Sequence, residues 1–327
     1  MTRRGITYDT GFRHGDGPST HEPFGHQAVR RDLRVIREEL RCTAVRVTGG
    51  DPGRLELAAQ AAAEAGLEVW FSPFTSDLTT AGLLGVLADC AERAERLRAG
   101  GAEVVMVTGA ELTLFTKGFL PGETLEERLA LLSRGGLRTE EIRPRLNAFL
   151  GEAVAVVRSR FGGRVTYAAL PSEQVDWAPF DLVGVDLYRS KETADVYPYA
   201  VQSLATFGKP VAITEFGCTT FRGAADLGAR GMFIVDWDGA TPRALTGGIV
   251  RDEQEQVRYL RELLDVFEEN GVDHAFWCTF ASYNLPGRFD AASYGLVRVA
   301  EDGTWEPKAA FAAYAKANSA IAASDGR

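Results

Sequence analysis

The sequence predicts a single α/β domain closed as a (β/α)8 TIM barrel with extended loops after its fourth and seventh strands. Three observations predict it. Eight short, β-rich apolar segments recur along the 327 residues. All but one of the intervals between them carry helical patterning. No glycine-rich phosphate turn follows the first segment, since Asp9-Thr10-Gly11-Phe12-Arg13-His14-Gly15 does not match G-x-G-x-x-G, which argues against the alternative of an open, doubly wound sheet.

The eight segments are Gly5–Thr10, Ala44–Thr48, Glu68–Pro73, Glu103–Thr108, Arg164–Leu170, Leu182–Tyr188, Pro210–Glu215 and His274–Phe280. Several are nearly continuous apolar runs, such as Val104-Val105-Met106-Val107, as parallel strands covered on both faces require. Between them, Asp51-Pro52 supplies an N-cap and a first-turn proline for a helix over Gly53–Ala65 that stops at Gly66. Thr139-Glu140-Glu141 opens a long helix ending near Phe161-Gly162-Gly163, and Asp252-Glu253 opens one that stops at Asn270-Gly271. A last helix starts around Glu306-Pro307. The interval Pro171–Asp181 is too short for a full helix. The barrel is expected over residues 1–323, with 324–327 as a disordered tail.

Composition narrows the class. With 45% apolar and 25% charged residues the chain reads as a globular protein able to bury a large core. A net charge of −9 argues against nucleic acid as a partner. No apolar stretch is long enough to span a bilayer, and Met1-Thr2-Arg3-Arg4-Gly5 carries no apolar leader. The cysteines, Cys42, Cys90, Cys218 and Cys278, form no C-x-x-C pair and suit a reducing cytoplasm.

In such barrels the chemistry sits at the C-terminal ends of the strands. That rule selects Tyr8 and Asp9 from the first strand, Arg46 from the second, and Trp70, Ser72 and Phe74 from the third. The fourth runs out into Thr108-Gly109-Ala110-Glu111, the sixth into Asp186-Leu187-Tyr188, the seventh into Thr214-Glu215-Phe216-Gly217, and the eighth into Trp277, Thr279 and Phe280. Glu111 and Glu215, on one rim, would interact, and one should keep its proton at higher pH than the other. Glycoside cleavage requires that arrangement: one carboxylic acid protonates the leaving oxygen while the other attacks the anomeric carbon. Structural ion pairs at the rim are the plain alternative for either glutamate.

Val211-Ala212-Ile213-Thr214-Glu215-Phe216-Gly217 resembles the strand-seven nucleophile motif of clan A glycoside hydrolases. The resemblance implies Glu215 as nucleophile, Glu111 as acid/base, Arg46 and Tyr188 beside the nucleophile, and Trp277 or Phe280 under the sugar. It implies a small-molecule glycoside as substrate and no cofactor. One departure stands out. The clan places asparagine before the acid/base, where it bonds the sugar 2-hydroxyl, and this chain has Ala110. The substrate lacks that hydroxyl, another group replaces the asparagine, or the dyad does different chemistry. Glu68-Val69-Trp70-Phe71-Ser72-Pro73-Phe74 and Ile213–Thr220 also resemble actinobacterial proteins labelled abortive-infection proteins.

Two long loops, Leu112–Arg138 and Cys218–Arg251, are expected to shape specificity; the first contains Phe115, Lys117 and Phe119 and a short helix from Thr124. In the second, Asp236 and Asp238 are either substrate ligands or solvated acids of a hairpin turn. His14, His21 and His26 share the first loop with Asp16 and Glu22 in a spacing that fits no metal motif, so no metal is expected, and His14 is a substrate-contact candidate. His274 opens the eighth strand at the opposite rim and is expected to be structural. Cys218 has no evident base nearby and reads as packing.

The expected function is therefore a retaining glycosidase using Glu111 and Glu215, with Tyr8, Asp9, His14, Arg46, Trp70, Asp186, Tyr188, Trp277 and Phe280 around the substrate. The alternatives are a non-hydrolytic acid/base enzyme on the same scaffold, or a catalytically silent binding protein of the defence type.

Overall fold

Parallel strands need cover on both faces, and the eight apolar segments find it in one ring. The computed structural model describes residues 3–13, 17–133, 139–239 and 241–324. Its barrel strands are β1 (Arg3–Asp9), β2 (Ala44–Gly49), β3 (Glu68–Pro73), β4 (Val104–Ala110), β5 (Arg164–Ala168), β6 (Val183–Asp186), β7 (Val211–Phe216) and β8 (His274–Trp277). They pair in parallel in the order β5-β4-β3-β2-β1-β8-β7-β6. The ring closes between β5 and β6 through one bridge, Ala169 to Val185, where the Ala169 N–H donates to the Gly184 carbonyl at 3.0 Å.

The helices are α1 (His26–Glu38), α2 (Pro52–Glu64), α3 (Thr80–Ala99), α4 (Leu112–Phe115), α5 (Leu125–Ser133), α6 (Thr139–Arg158), α7 (Tyr197–Leu204), α8 (Glu253–Glu269) and α9 (Ala309–Ser324). The start signals act as expected. The Asp51 carboxylate accepts from the Arg54 N–H at 2.9 Å, and Asp252 accepts from Gln254 N–H at 2.9 Å. Gly66 ends the α2 connection at φ +76°, a left-handed conformation that glycine adopts without strain. Helix α9 starts later than Glu306-Pro307 because Trp305–Pro307 pairs antiparallel with Val297–Val299. The short interval after β5 holds only the 3-10 turn Pro171–Glu173. After β7 the chain forms 3-10 turns and a hairpin of Val235–Asp238 with Thr241–Leu245, which leaves Asp236 and Asp238 exposed.

The core has two parts. Most helix and strand side chains pack in one layer between barrel and helices. Inside the barrel lies a smaller apolar plug of Ala44, Trp70, Val105, Val107, Ala110, Ala168, Leu182, Ala212 and Phe276, with Phe74 resting on it. No helix among the described residues is long and apolar enough to cross a membrane. Of the expected tail, residues 325–327 lie outside the described residues, and Ser324 is the last residue of α9.

The β5–β6 seam is tight. A β-carbon on Gly184 would lie 2.2 Å from the Tyr167 carbonyl oxygen and 3.0 Å from Thr166 Oγ1. Backbone cannot yield cheaply, so Gly184→Ala is expected to lose about 1–3 kcal/mol in urea unfolding. An unchanged unfolding midpoint would show that the seam opens freely.

Candidate active site

Three strands lose their regular register at the C-terminal rim, and these strands carry the acids or flank them. Pairing shifts between Val107 and Ala110 on β4, between Val185 and Asp186 on β6, and between Ala275 and Trp277 on β8. Such irregularities re-aim side chains that a straight strand would point elsewhere. Glu111 follows β4 with a left-handed backbone (φ +47°, ψ +43°), its N–H donating to the Ala168 carbonyl at 2.9 Å. As a result Glu111, Asp186 and Glu215 each bring a carboxylate oxygen within 4.8 Å of the others.

Arg46 is the only cation bonded to this group among the described residues. It is fully buried, and its Nη1 donates to Glu215 Oε1 at 2.7 Å and to the Thr214 carbonyl at 3.1 Å. Its Nε donates to Ser72 Oγ at 3.1 Å, and Nη1 lies 3.6 Å from Asp186 Oδ1. The Tyr188 hydroxyl donates to the other oxygen of Glu215 at 2.9 Å. Both Glu215 oxygens thus have donors.

The other two acids are treated oppositely. Burial pushes the Glu111 carboxyl well above the usual range, the neighbouring Asp186, Glu215 and Glu173 add to the rise, and Arg46 opposes it. Among the described residues no hydrogen bond to its carboxylate offsets this. Asp186 is pushed up to about 8, first by burial and then by Glu215, against the pull of Arg46 and the Thr214 hydroxyl. That hydroxyl donates to Asp186 Oδ1 at 2.6 Å, while Oδ2 has no hydrogen-bond partner among the described residues.

A metal fits this group poorly. A divalent ion held by the three carboxylates would share Glu215 with Arg46 and Tyr188, and the guanidinium already supplies positive charge beside it.

Two residues that the sequence did not flag complete the site. Glu173, in the 3-10 turn after β5, is buried and accepts on Oε1 from the Thr113 N–H (3.0 Å) and hydroxyl (2.8 Å). On Oε2 it accepts from the Tyr167 hydroxyl and the Leu170 N–H, both at 2.9 Å. The Tyr167 hydroxyl in turn accepts from the Leu112 N–H at 2.7 Å. This network pins the two residues that follow Glu111. Cys278 lies beside Tyr188 and Glu215, its thiol pushed well up by burial and by Glu215. A short turn and a lone cysteine carry no sequence pattern that would have marked either.

The structure therefore brings together Glu111, Glu215, Arg46, Asp186 and Tyr188. It places the other candidates elsewhere. Trp70 points to the opposite pole, fully buried, with its N–H donating to Glu68 at 2.9 Å and its ring against Phe276 and His274. Trp277 is fully buried behind the nucleophile strand, its N–H on the Tyr294 carbonyl at 2.9 Å and its ring 5.4 Å from Phe216. Phe280 is buried between Tyr8 and Trp305. Tyr8 donates to the buried Asp32 at 3.2 Å. Asp9 is occupied by the Gly11 N–H and the Thr20 hydroxyl, which fold the first loop. His14 lies outside the described residues. His21 is a buried ring stacked on Tyr283, His274 is buried at the opposite pole against Glu68, and Cys218 is fully buried.

The aromatic surface at the mouth comes instead from the loops. Phe12, Phe74 and Phe115, each half-buried, form a trio with centroid separations of 4.7, 4.7 and 5.9 Å. On the far side of Tyr188 a cavity of about 310 Å³ is lined by Ser190, Glu192, Leu227, Ala229 and Arg230. Arg230 bridges its two loops by donating to both oxygens of Glu192 at 2.9 Å.

No family model matches the chain, and no curated protein matches it. Solved structures match along nearly all of it. A GH113 β-1,4-mannanase is 16% identical, with 97% of this chain and 99% of that chain covered and a TM-score of 0.63. A β-glucosidase, 1317, is 13% identical over 98% of both chains with a TM-score of 0.57. Gas2p of Saccharomyces cerevisiae, solved with laminaritetraose and laminaripentaose, is 11% identical over 98% of this chain and 63% of that chain at a TM-score of 0.54. The chain shares the barrel fold of these proteins.

The Asp186 shift carries a stability consequence. A folded value of about 8 against 3.8 for the free side chain means the folded state holds a proton that the unfolded chain releases. Stability from this group is full below about 4 and is lost as pH rises through 8. Wild type should therefore lose unfolding midpoint relative to Asp186→Asn between pH 5 and pH 8.5. Parallel pH profiles for the two proteins would contradict a buried, proton-holding Asp186.

Proposed function

We propose that this chain is a retaining glycoside hydrolase with Glu215 as nucleophile and Glu111 as acid/base. The observation that carries the reading is the opposed surroundings of two neighbouring carboxyls. Glu215 accepts from Arg46 and Tyr188, whereas Glu111 has no such donor among the described residues and burial raises its carboxyl well above the usual range. In the first step the Glu215 carboxylate attacks the anomeric carbon while Glu111 gives its proton to the departing glycosidic oxygen. In the second, Glu111, now an anion, takes a proton from water, and the hydroxide released to the anomeric carbon frees Glu215.

Spacing supports retention. Oxygens within 4.8 Å of one another match the short carboxyl separation of retaining enzymes and leave no room for the water that an inverting pair must hold between them. Phe12, Phe74 and Phe115 offer apolar faces for a sugar ring at the mouth. The structural neighbours, among them a β-1,4-mannanase and a β-glucosidase, suggest the first substrates to try.

The buried methyl of Ala110 favours one second reading, in which the same acid and base catalyse a non-hydrolytic step such as a cyclisation or elimination. A third, the silent defence-type binder, would bind without turnover.

Hydrolysis of 4-nitrophenyl β-mannoside and β-glucoside separates them. Wild type should turn over at least one, and Glu215→Gln should lower kcat/KM by at least about 10⁴-fold. Glu111→Ala should keep much of its first-step rate on a 2,4-dinitrophenyl glycoside, whose leaving group needs no proton. The alkaline limb of the wild-type pH–rate profile should disappear in that variant, because it reports loss of the Glu111 proton. An equally deep loss on both leaving groups would remove Glu111 as the acid, and an inverted first product by NMR would remove retention.

A further inference from the structure

The three half-buried phenylalanines at the mouth form one apolar wall. Phe74 rests on the plug inside the barrel, to which Ala110 belongs, and its ring meets those of Phe12 and Phe115 at 4.7 Å each. Phe115 is the last residue of α4, the short helix that Glu111 caps, and its N–H donates to the Glu111 carbonyl at 3.1 Å. The wall therefore begins within one helical turn of the residue proposed as the acid.

Backbone bonds hold the wall in place. The Gly50 N–H donates to the Gly11 carbonyl at 3.0 Å, the Phe74 N–H to the Gly49 carbonyl at 2.8 Å, and the Asp77 N–H to the Phe115 carbonyl at 2.9 Å. The loops after β1, β2, β3 and β4 are thus stitched one to the next. The fully buried Arg128 adds bonds to the Leu114 carbonyl at 2.6 Å, the Gly122 carbonyl at 3.0 Å and the Asp77 carboxylate. A surface fixed in this way loses little freedom when a ligand covers it.

The wall is poor in hydrogen-bonding groups. The rings carry none, Asp77 is bonded to Arg128, Lys117 pairs with Glu123 at 3.2 Å, and the hydroxyl oxygens of Ser76 and Thr116 are buried. A sugar ring can lie on one phenyl face, but its hydroxyls would lose water against the other two. A flat or flexible apolar group loses nothing there. In glycoside cleavage the oxygen that the acid protonates belongs to the departing group, so what lies beside Glu111 is that group, and the ring that Glu215 attacks lies beyond it. Resting on the glycosidase reading, we infer that the departing group is an aryl or alkyl aglycone seated on Phe12, Phe74 and Phe115. The substrate class is then a glycoside of an apolar alcohol or phenol, as opposed to an oligosaccharide. The glycosidic C–O bond breaks, its oxygen takes the Glu111 proton, and the aglycone leaves as the neutral alcohol.

The test compares 2-phenylethyl β-glucoside and β-mannoside with cellobiose and β-1,4-mannobiose, using wild type and Phe115→Ala. Phenylethyl alcohol is a poorer leaving group than a sugar hydroxyl, so faster cleavage of its glycosides reports binding of the aglycone. Wild type should favour the phenylethyl glycosides by at least about tenfold in kcat/KM, and Phe115→Ala should lower them by about 10- to 100-fold while changing the disaccharides by less than about threefold. Phe115→Leu, which keeps apolar bulk, should recover most of that loss. Phe12→Ala carries the test if Phe115→Ala does not fold. Equal losses on both substrate types would overturn the inference and leave the glycosidase reading intact. So would a wild type that prefers the disaccharides, or one that cleaves 4-nitrophenyl glycosides but neither of these types. No turnover of any of these glycosides by wild type would remove the glycosidase reading, and this inference with it.

Discussion

The arrangement at the barrel mouth depends on one buried guanidinium. Three carboxyls within 4.8 Å of each other repel one another when ionised. At an effective dielectric of about 20, each ionised pair at that distance repels by about 3–4 kcal/mol. Arg46 offsets that for one acid at contact distance and only weakly for a second. It touches Glu215 at 2.7 Å and Asp186 at 3.6 Å, and Ser72 accepts from its Nε at 3.1 Å and orients it. The positive charge is therefore shared unequally: Arg46 bonds Glu215 directly and reaches Asp186 only at longer range, while burial raises the Glu111 and Asp186 carboxyls. Removing Arg46 would not simply weaken one bond but would leave all three acids to redistribute protons among themselves.

That assignment needs each acid delivered to the correct point, and regular strands would not do it. The register shifts on β4, β6 and β8, and the left-handed turn at Glu111, turn side chains inward that an unbroken ladder would direct along the barrel wall. Holding a glutamate at φ +47° is unfavourable for a residue with a β-carbon. The buried Glu173 offsets it, because its four accepted hydrogen bonds clamp Leu170 and Thr113 directly and Leu112 through Tyr167. The strained residue is thus fixed from behind by a carboxylate that never reaches the mouth.

The eight strands, the caps at Asp51 and Asp252 and the acids on the seventh and fourth strands were legible because each has a local signature. Continuous apolar runs signal two-sided burial, and a carboxylate at the end of such a run is conspicuous. The aromatic assignments were not legible for the same reason. A strand buried on both faces shows no alternation, so its pattern does not say which residues face the barrel axis or toward which pole a ring extends. Trp70 went to the lower pole because Glu68 offers its indole N–H an acceptor there, and Trp277 turned outward onto Phe216. Phe12 and Phe115 act at the mouth from loops, where no periodicity exists to reveal them. Glu173 and Cys278 matter only through contacts distant in sequence, which no spacing encodes.

The plug beneath the acids explains why Ala110 is small. Trp70 and Phe276 fill the barrel axis with rings 4.8 Å apart, and Ala44, Ala168 and Ala212 are the small residues that make room for them. Ala110 belongs to that layer. An amide side chain there would have to leave the plug or carry unpaired polar atoms into it, at a cost of about 1–3 kcal/mol for each group left unsatisfied. The same apolar floor denies the acids water from below, which raises Glu111 and Asp186 and leaves the mouth as their only polar exit. Small residues on β4 and a polar carboxyl on β6 are therefore two sides of one packing solution. The barrel gives up hydrogen-bonding capacity at Ala110 to keep its floor apolar.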